Sequence, residues 1–362
     1  MIKKIIKTLK LKQKKLVQYI GFLFYRSHPQ QIDKPFIHFN INPINQYSRY
    51  FYLLVKFFHI EGYHITVERN FSTYKNMMEG EIYLKYLIDE KIISFCGKKK
   101  NTSKEFNDSN LSPAYFDFLL NKAGNTSSKF WIPIAMHPIF YNRGTWNQPI
   151  ENAEKKHAVF MAGNFNTELY GNSNEKHFNV LSRTSLYKIL HAQGALTAIT
   201  SIDELNRLLE KELNNQCIIV DAEKCRIPIN TLRSYLNRFS FFLACPGVVM
   251  PYCHNIVEAM SAGCIPLIQK EYAEMMQPPL TDQVNAIFFH SADDVTDTLQ
   301  KIYHLHEAAV TAMRQNVMHY YNQYLTPKAV VSQMLSASFT TYYLLAEQTS
   351  VRIFEKSKRS LV

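Results

Sequence analysis

The residues best suited to chemistry lie in one stretch, "CPGVVMPYCHNIVEAMSAGCIPLI", residues 245–268, whose single acidic side chain is Glu258. The pattern predicts a strand ending at Cys245, a turn at Pro246 and Gly247, a loop, and a helix with Asn255 at its N-cap. That helix runs through Ile256, Val257, Ala259 and Met260, stops at Gly263, and is followed by the apolar strand "CIPLI". Ligands of open α/β sheets gather at this carboxyl edge, where helix N-termini present unpaired N–H groups. A phosphate or pyrophosphate is the natural guest there. Glu258 then has two readings. Asn255 and Glu258 have capping-box spacing, so the carboxylate can turn back to the Asn255 N–H and contribute about 1 kcal/mol. The same carboxylate offers two acceptor oxygens and no donor, which suits the cis-diol of a ribose whose phosphates lie at the helix start. Local chemistry leaves both open.

The elements around this stretch alternate strand and helix. "KPFIHFNI" (34–41) reads as a buried strand, residues 46–61 as a helix with Tyr47, Tyr50, Phe51, Leu54, Phe57 and Phe58 on its apolar side, Gly62 as its stop, and "YHITVER" as a second strand. Strand, helix, glycine, strand is a βαβ unit and implies a parallel sheet. Further strands are expected at "KIISFCG" and "FWIPIAM", with an exposed loop over 98–110. "GTWNQPIENAEKK" (144–156) is polar and contains Gly and Pro, and is expected to link two domains. The second begins with the strand "HAVFMAGNF" and the helix "HFNVLSRTSLYKILHAQG". It continues through "SIDE", a capping box at Ser201, the strand "CIIVDAE", the helix "INTLRSYLNRF" and the strand "FFLACPG". A last apolar helix is expected over 328–345. The fold class is therefore α/β, with two Rossmann-like lobes at 30–150 and 156–322, preceded by a basic arm (1–29) and followed by a C-terminal helix and tail (323–362).

Composition removes some classes of function. Of the net charge of +11, residues 1–26 carry +8, with seven lysines, Arg26 and no acid, so the body is nearly balanced and no nucleic-acid-binding surface is indicated. In the arm, Ile2, Ile5, Ile6, Leu9, Leu16, Ile20 and Leu23 share one helical face, and Lys3, Lys4, Lys7, Lys10 and Lys14 fall on the other. This is the pattern of a helix lying in an anionic membrane interface, or of a solvated helix packed on its own protein. It is too short in apolar residues to span a bilayer and has no cleavage site of a signal peptide. The six cysteines, Cys96, Cys217, Cys225, Cys245, Cys253 and Cys264, form no CxxC pair and read as reduced thiols, while the sequons at Asn101 and Asn125 have no secretory signal to give them meaning.

Residues 241–288, through "PPLTDQVNAIFF", resemble the nucleotide-binding half of GT-B glycosyltransferases, in particular the carboxy-terminal portion of exostosin-like enzymes, with their helix of the form x-x-x-E-A-M-x-A-G-C-I-P-V-I. The resemblance implies a GT-B architecture in which Glu258 binds the ribose of a nucleotide-sugar donor. By their place at the helix start and the turn, Asn255, His254 and Gly247 are the further candidates for donor contact. Many retaining members of that group carry a second glutamate eight positions earlier. Met250 stands there in this chain, so the resemblance leans towards inverting chemistry.

An inverting transfer needs a base for the acceptor hydroxyl and positive charge or N–H groups for the leaving phosphate. In GT-B enzymes the base usually comes from the first lobe. His137, in "AMHPIF" at a predicted strand end, is the first candidate, against a purely structural role, and Glu68 and Asp89 follow. Arg183, on the helix after "AGNFN", is the expected phosphate-binding cation, with Gly163 and Asn164 in the turn supplying N–H groups. Lys188 is a weaker option, and Arg233 and Arg238 are expected on the surface. Asp293 and Asp294 read as a helix start rather than a metal site, so no metal and no cofactor is required. The implied enzyme takes a nucleotide-sugar donor and a glycan or lipid-linked acceptor of lipopolysaccharide or capsule type. It would sit peripherally on the cytoplasmic face of the inner membrane, bound through residues 1–26. The alternatives are a fucosyltransferase-like or Kdo-transferring enzyme, or a silent scaffold of the same fold.

Overall fold

The computed structural model describes residues 2–28, 34–42, 44–120, 127–151, 153–213, 215–336 and 338–360. The side chains of Ile2, Lys3, Lys4 and Ile5, and the Asn125 sequon, lie outside the described residues. By their contacts the residues form two units: Met1–Tyr115 with Gly124–Phe130 and Val331–Thr349, and Phe116–Ala123 with Trp131–Val330 and Ser350–Val362. Each contains a parallel sheet with crossover helices, as an alternating strand and helix pattern requires.

In the first unit the strands run in the order Ile93–Phe95, His64–Val67, Phe36–Asn40, Thr102–Asn107, all parallel. The helix Ser48–Ile60 buries Phe51, Leu54, Phe57 and Phe58, and Gly62 stops it at a φ of 82°, where a side chain would be strained. Phe39 of the central strand stacks on Phe106 at 5.1 Å, with Phe51 edge-on at 5.2 Å. Phe106 corrects the loop expected over 98–110. The strand Thr102–Asn107 carries Lys104 and Glu105 because it is the sheet's edge, where charged side chains are tolerated, while its one large apolar residue is buried.

The arm is one helix, Ile2–Phe24, in the first unit. Phe22 is buried against Phe71, Tyr74 and Phe95, Tyr19 meets Phe71 edge-on, and Lys14 and Gln18 both reach Glu79.

The second unit has a six-stranded parallel sheet in the order Ile287–Phe289, Ile265–Gln269, Phe239–Leu243, Lys156–Gly163, Cys217–Asp221, Thr197–Ile199. The chain enters at Lys156–Gly163, winds to one side, then crosses to Phe239–Leu243 on the other. The order reverses between those two neighbours, and such a switch point opens a crevice at the strands' carboxyl ends. The central strands Phe239–Leu243 and Ile265–Gln269 are buried along their whole length, as expected of a sheet covered on both faces.

Two helix expectations need correction. The segment "HFNVLSRTSLYKILHAQG" is two helices, Ser173–Phe178 and Arg183–Ala192. Asn179 in the left-handed region ends the first, and Ser182 caps the second by accepting from the Ser185 N–H. The apolar helix expected over 328–345 is Pro327–Ser336, followed by the strand Thr341–Tyr343, which pairs in parallel with Leu111–Ser112. A further helix, Gln348–Arg359, is present. Its charged face hid it, while Val351 and Phe354 are buried and Phe354 stacks on Phe178 at 5.3 Å. The capping box at Ser201 is present, with Ser201 accepting from the Glu204 N–H.

Candidate active site

The loop 244–253 carries the chain from the strand Phe239–Leu243 to the site helix His254–Ser261. Gly247 is dictated by close approach, since a Cβ there would lie 2.6 Å from the Tyr252 carbonyl oxygen and 2.9 Å from that of Met250. Asn174 donates to the Gly247 carbonyl at 2.7 Å, and the Tyr272 hydroxyl accepts from the Cys253 N–H at 3.0 Å, so the loop is tied at both ends. Met250 is buried, and with it no carboxylate stands eight residues before Glu258.

The cap is Cys253, in extended conformation, and not Asn255. Asn255 lies inside the first turn, where its buried Oδ1 has no hydrogen-bond partner among the described residues. Glu258 makes no capping box either. Its Oε1 accepts from the His137 N–H at 3.0 Å and pairs with His254 Nδ1 at 2.8 Å, one helical turn back. Among the described residues no protein donor lies on Oε2. The residue is only 1% exposed, and burial pushes its carboxyl up. His254 and the two hydrogen bonds outweigh that and hold it below its ordinary value of 4.5.

His137 is the N-cap of the short helix Pro138–Asn142. Its Nδ1 accepts from the Ile139 N–H at 3.3 Å, and its ring stands edge-on to that of His254 at 4.9 Å. Trp131–Val330 cluster together, so His137 stands with the second unit and not with the first, where the sequence placed it.

Arg183 opens its helix, 2% exposed. One end of its guanidinium donates to the Asn164 carbonyl at 2.9 Å and the Tyr170 hydroxyl at 3.0 Å, the other to the Pro246 carbonyl at 3.1 Å and Cys253 Sγ at 3.3 Å. One cation thus joins the turn after the first strand to the turn before the site helix. Gly163 follows from this, because a Cβ there would meet Arg183 Nη1 at 2.8 Å.

His137, Gly163, Asn164, Arg183, His254, Asn255 and Glu258 line one cavity of about 630 Å³ at the carboxyl ends of the strands. Gly247 lies behind it, in the loop. Lys188 is exposed and does not line it, and neither do Arg233 and Arg238, which are half-buried. Glu68 and Asp89 lie in the first unit. Glu68 is 3.5 Å from Nε2 of the buried His38, and Asp89 pairs with Lys85 at the end of the helix Ile82–Asp89. Asp294 starts the helix Val295–Tyr303 and accepts from the His290 and Ser291 N–H groups. The described residues hold no cluster of three or more His, Cys, Asp or Glu fit for a metal ion.

Arg143, Tyr170, Cys253 and Arg226 also line the cavity and were missed. Arg226 had a readable signal, since "EKCRIP" follows the strand "CIIVDAE", and loops after parallel strands build the site at this edge. All six cysteines are free, Cys253 and Cys96 half-buried and the others buried.

No family model and no curated protein matches the chain. Solved structures with a similar layout include Anabaena Alr3699/HepE in complex with UDP (11% identity, 83% of this chain and 98% of that one, TM-score 0.41). Another is the spinosyn rhamnosyltransferase SpnG complexed with thymidine diphosphate (10% identity, 83% and 99%, TM-score 0.36). A third is WaaG, a glycosyltransferase involved in lipopolysaccharide biosynthesis (10% identity, 82% and 99%, TM-score 0.29).

Proposed function

We propose that this chain is a nucleotide-sugar-dependent glycosyltransferase of GT-B architecture. The observation that carries the proposal is Glu258: a buried, ionised carboxylate with one oxygen held by protein donors and the other without one, on the wall of a switch-point cavity. Its free oxygen suits a ribose hydroxyl, and the orphan acceptor Oδ1 of Asn255 suits a second ligand donor. The donor's phosphates would lie over the first turn of the site helix, in the field of Arg183. Arg183 itself stays bound to the two turns and fixes their backbone N–H groups.

In the proposed transfer an acceptor hydroxyl oxygen bonds to the anomeric carbon. The bond from that carbon to the donor phosphate breaks, the nucleotide leaves with the electron pair, and the hydroxyl proton passes to a base. Hydrogen bonding distinguishes the two histidines of the cavity. Nδ1 of His137 is an acceptor, so a neutral ring carries its proton on Nε2 and acts as a donor, suited to the leaving phosphate. Nδ1 of His254 faces a carboxylate, so a neutral ring carries its proton there and leaves Nε2 as the lone pair. In its neutral state His254 can take a proton at Nε2, and its charged state is the one that Glu258 stabilises. Inversion follows the absence of a carboxylate at Met250, and charge stabilisation by Arg183 and helix N–H groups makes a metal unnecessary.

The finer assignments are an exostosin-like donor lobe, a lipid-linked surface glycan of lipopolysaccharide or capsule type as acceptor, and peripheral attachment to the cytoplasmic face of the inner membrane. They are supported by the "EAMSAGCIPLI" motif and by the basic arm. No described helix is long and apolar enough to cross a membrane.

The test is nucleotide binding. UDP, GDP and CMP are titrated by calorimetry into the wild type and Glu258→Gln, with at least one nucleotide expected to bind and to weaken about tenfold or more in the variant. If none binds, the donor site is lost and a scaffold takes its place. If Glu258→Gln binds equally well, the carboxylate serves only the fold.

A further inference from the structure

At the amino ends of the same strands, opposite the donor cavity, the second unit has another cavity of about 660 Å³. Lys155, Arg233 and Arg314 line it, and no carboxylate does. Lys155 is accounted for by the fold: its Nζ donates to the carbonyls of Asn237 (2.9 Å), Phe239 (3.2 Å) and Ala262 (2.8 Å), and so answers the negative ends of the helices Ile229–Leu236 and His254–Ser261. Arg233 is partly accounted for. Its Nε donates to Ser261 Oγ, and Nη1 to the carbonyls of Thr145 and Gln148, while Nη2 has no partner among the described residues.

Arg314 is not accounted for. Its side chain makes no hydrogen bond or ion pair among the described residues, and its Nε is buried. Burial and the nearby Arg314 push the Lys155 ammonium below its ordinary value, and burial lowers Arg233 as well, so this corner holds positive charge that no acidic side chain meets. Half-buried cations without a counter-charge are costly, and their natural complement is an anion. Two guanidinium edges suit a phosphate. Around them Gln148, Gln315 and Thr311 offer amide and hydroxyl groups that both donate and accept, as sugar hydroxyls require. The volume exceeds that of a lone phosphate and falls in the range of small-molecule sites.

We infer that this cavity is a second binding site, for a small phosphorylated polyol of sugar-phosphate size, held by Arg314 and Arg233. The site is independent of the proposed donor function and stands or falls without it.

The test uses the full chain in thermal shift and calorimetry with glucose 6-phosphate, inorganic phosphate and glucose, in the wild type, Glu258→Gln and Arg314→Gln. Glucose 6-phosphate is expected to raise Tm in the wild type and in Glu258→Gln, more than phosphate does, with no effect of glucose. In Arg314→Gln, Tm without ligand should be unchanged or higher, because a like charge is removed, and glucose 6-phosphate should bind at least about tenfold more weakly. No shift with either phosphate compound overturns the site, and so does a shift that survives Arg314→Gln. A shift with phosphate at least as large as with glucose 6-phosphate overturns the polyol. If Arg314→Gln does not fold, Gln315→Glu puts a carboxylate beside the cations at an exposed position. Lost binding there supports the site, and unchanged binding overturns it.

Discussion

Glu258 is held in its charged form against the effect of burial, so its protonation bears on folding as well as on a ligand. Its folded value lies below the ordinary 4.5, because His254 and the N–H of His137 favour the charged form. For a carboxylate shifted in this direction the stabilisation is fully present above the unfolded value and is lost as pH falls through the folded one. Replacing it by Gln removes the charge and keeps one acceptor, at a cost of about 1–3 kcal/mol near neutral pH. The Tm gap between the wild type and Glu258→Gln should therefore be widest near neutrality and close as pH falls through the folded value, below the ordinary 4.5. A gap that never closes as the protein is acidified would mean that the carboxylate is not the titrating partner of His254.

Among the elements, the helix Arg183–Ala192 does most to shape the cavity, because its first residue reaches both turns. Ser182 sets where that helix begins, accepting from the Ser185 N–H at 3.1 Å. Ser182→Ala should lower stability by about 1 kcal/mol, measured by urea unfolding. It should also weaken nucleotide binding, since a frayed first turn loosens Arg183. Lower stability with unchanged nucleotide affinity would show that Arg183 is positioned by its hydrogen bonds alone.

Sequence periodicity was informative about elements of this kind. The run from "KPFIHFNI" to "YHITVER" and the second unit's strands at "HAVFMAGNF", "CIIVDAE", "FFLACPG" and "CIPLI" stand close to where apolar runs and glycine stops put them, because buried parallel strands are apolar along their length, whereas the short strands Thr197–Ile199 and Ile287–Phe289 were not expected. It failed where composition misleads, at the charged edge strand Thr102–Asn107 and the polar-faced helix Gln348–Arg359. In the site, the position of Glu258 was legible and its partners were not. The His137 N–H is 121 residues away in sequence, and no local spacing could distinguish it from the Asn255 N–H.

For the whole molecule the question is why +7 of a net +11 sits in one helix. At about 100° per residue, Lys14, Gln18 and Phe22, which hold the helix to its unit, lie on the side opposite Ile6, Leu9, Leu16, Ile20 and Leu23. The helix is attached through Phe22 and Tyr19 and through the polar contacts of Lys14 and Gln18, and its apolar stripe is exposed, Leu9 at 60% and Leu16 at 59%. A helix that served only to cover its own protein would be turned the other way. With Lys10 and Lys12 at the edges of the stripe and the other lysines behind it, the arrangement suits a membrane interface. The full chain should co-sediment with phosphatidylglycerol vesicles and bind neutral phosphatidylcholine vesicles far less. Raising salt to about 1 M, where the screening length falls to about 3 Å, should weaken the anionic binding. The variant Leu9→Glu, Leu16→Glu, Ile20→Glu should keep the wild-type Tm, because those side chains touch solvent, and lose vesicle binding. Equal binding by wild type and variant, or none by either, would leave the stripe without a role at a membrane.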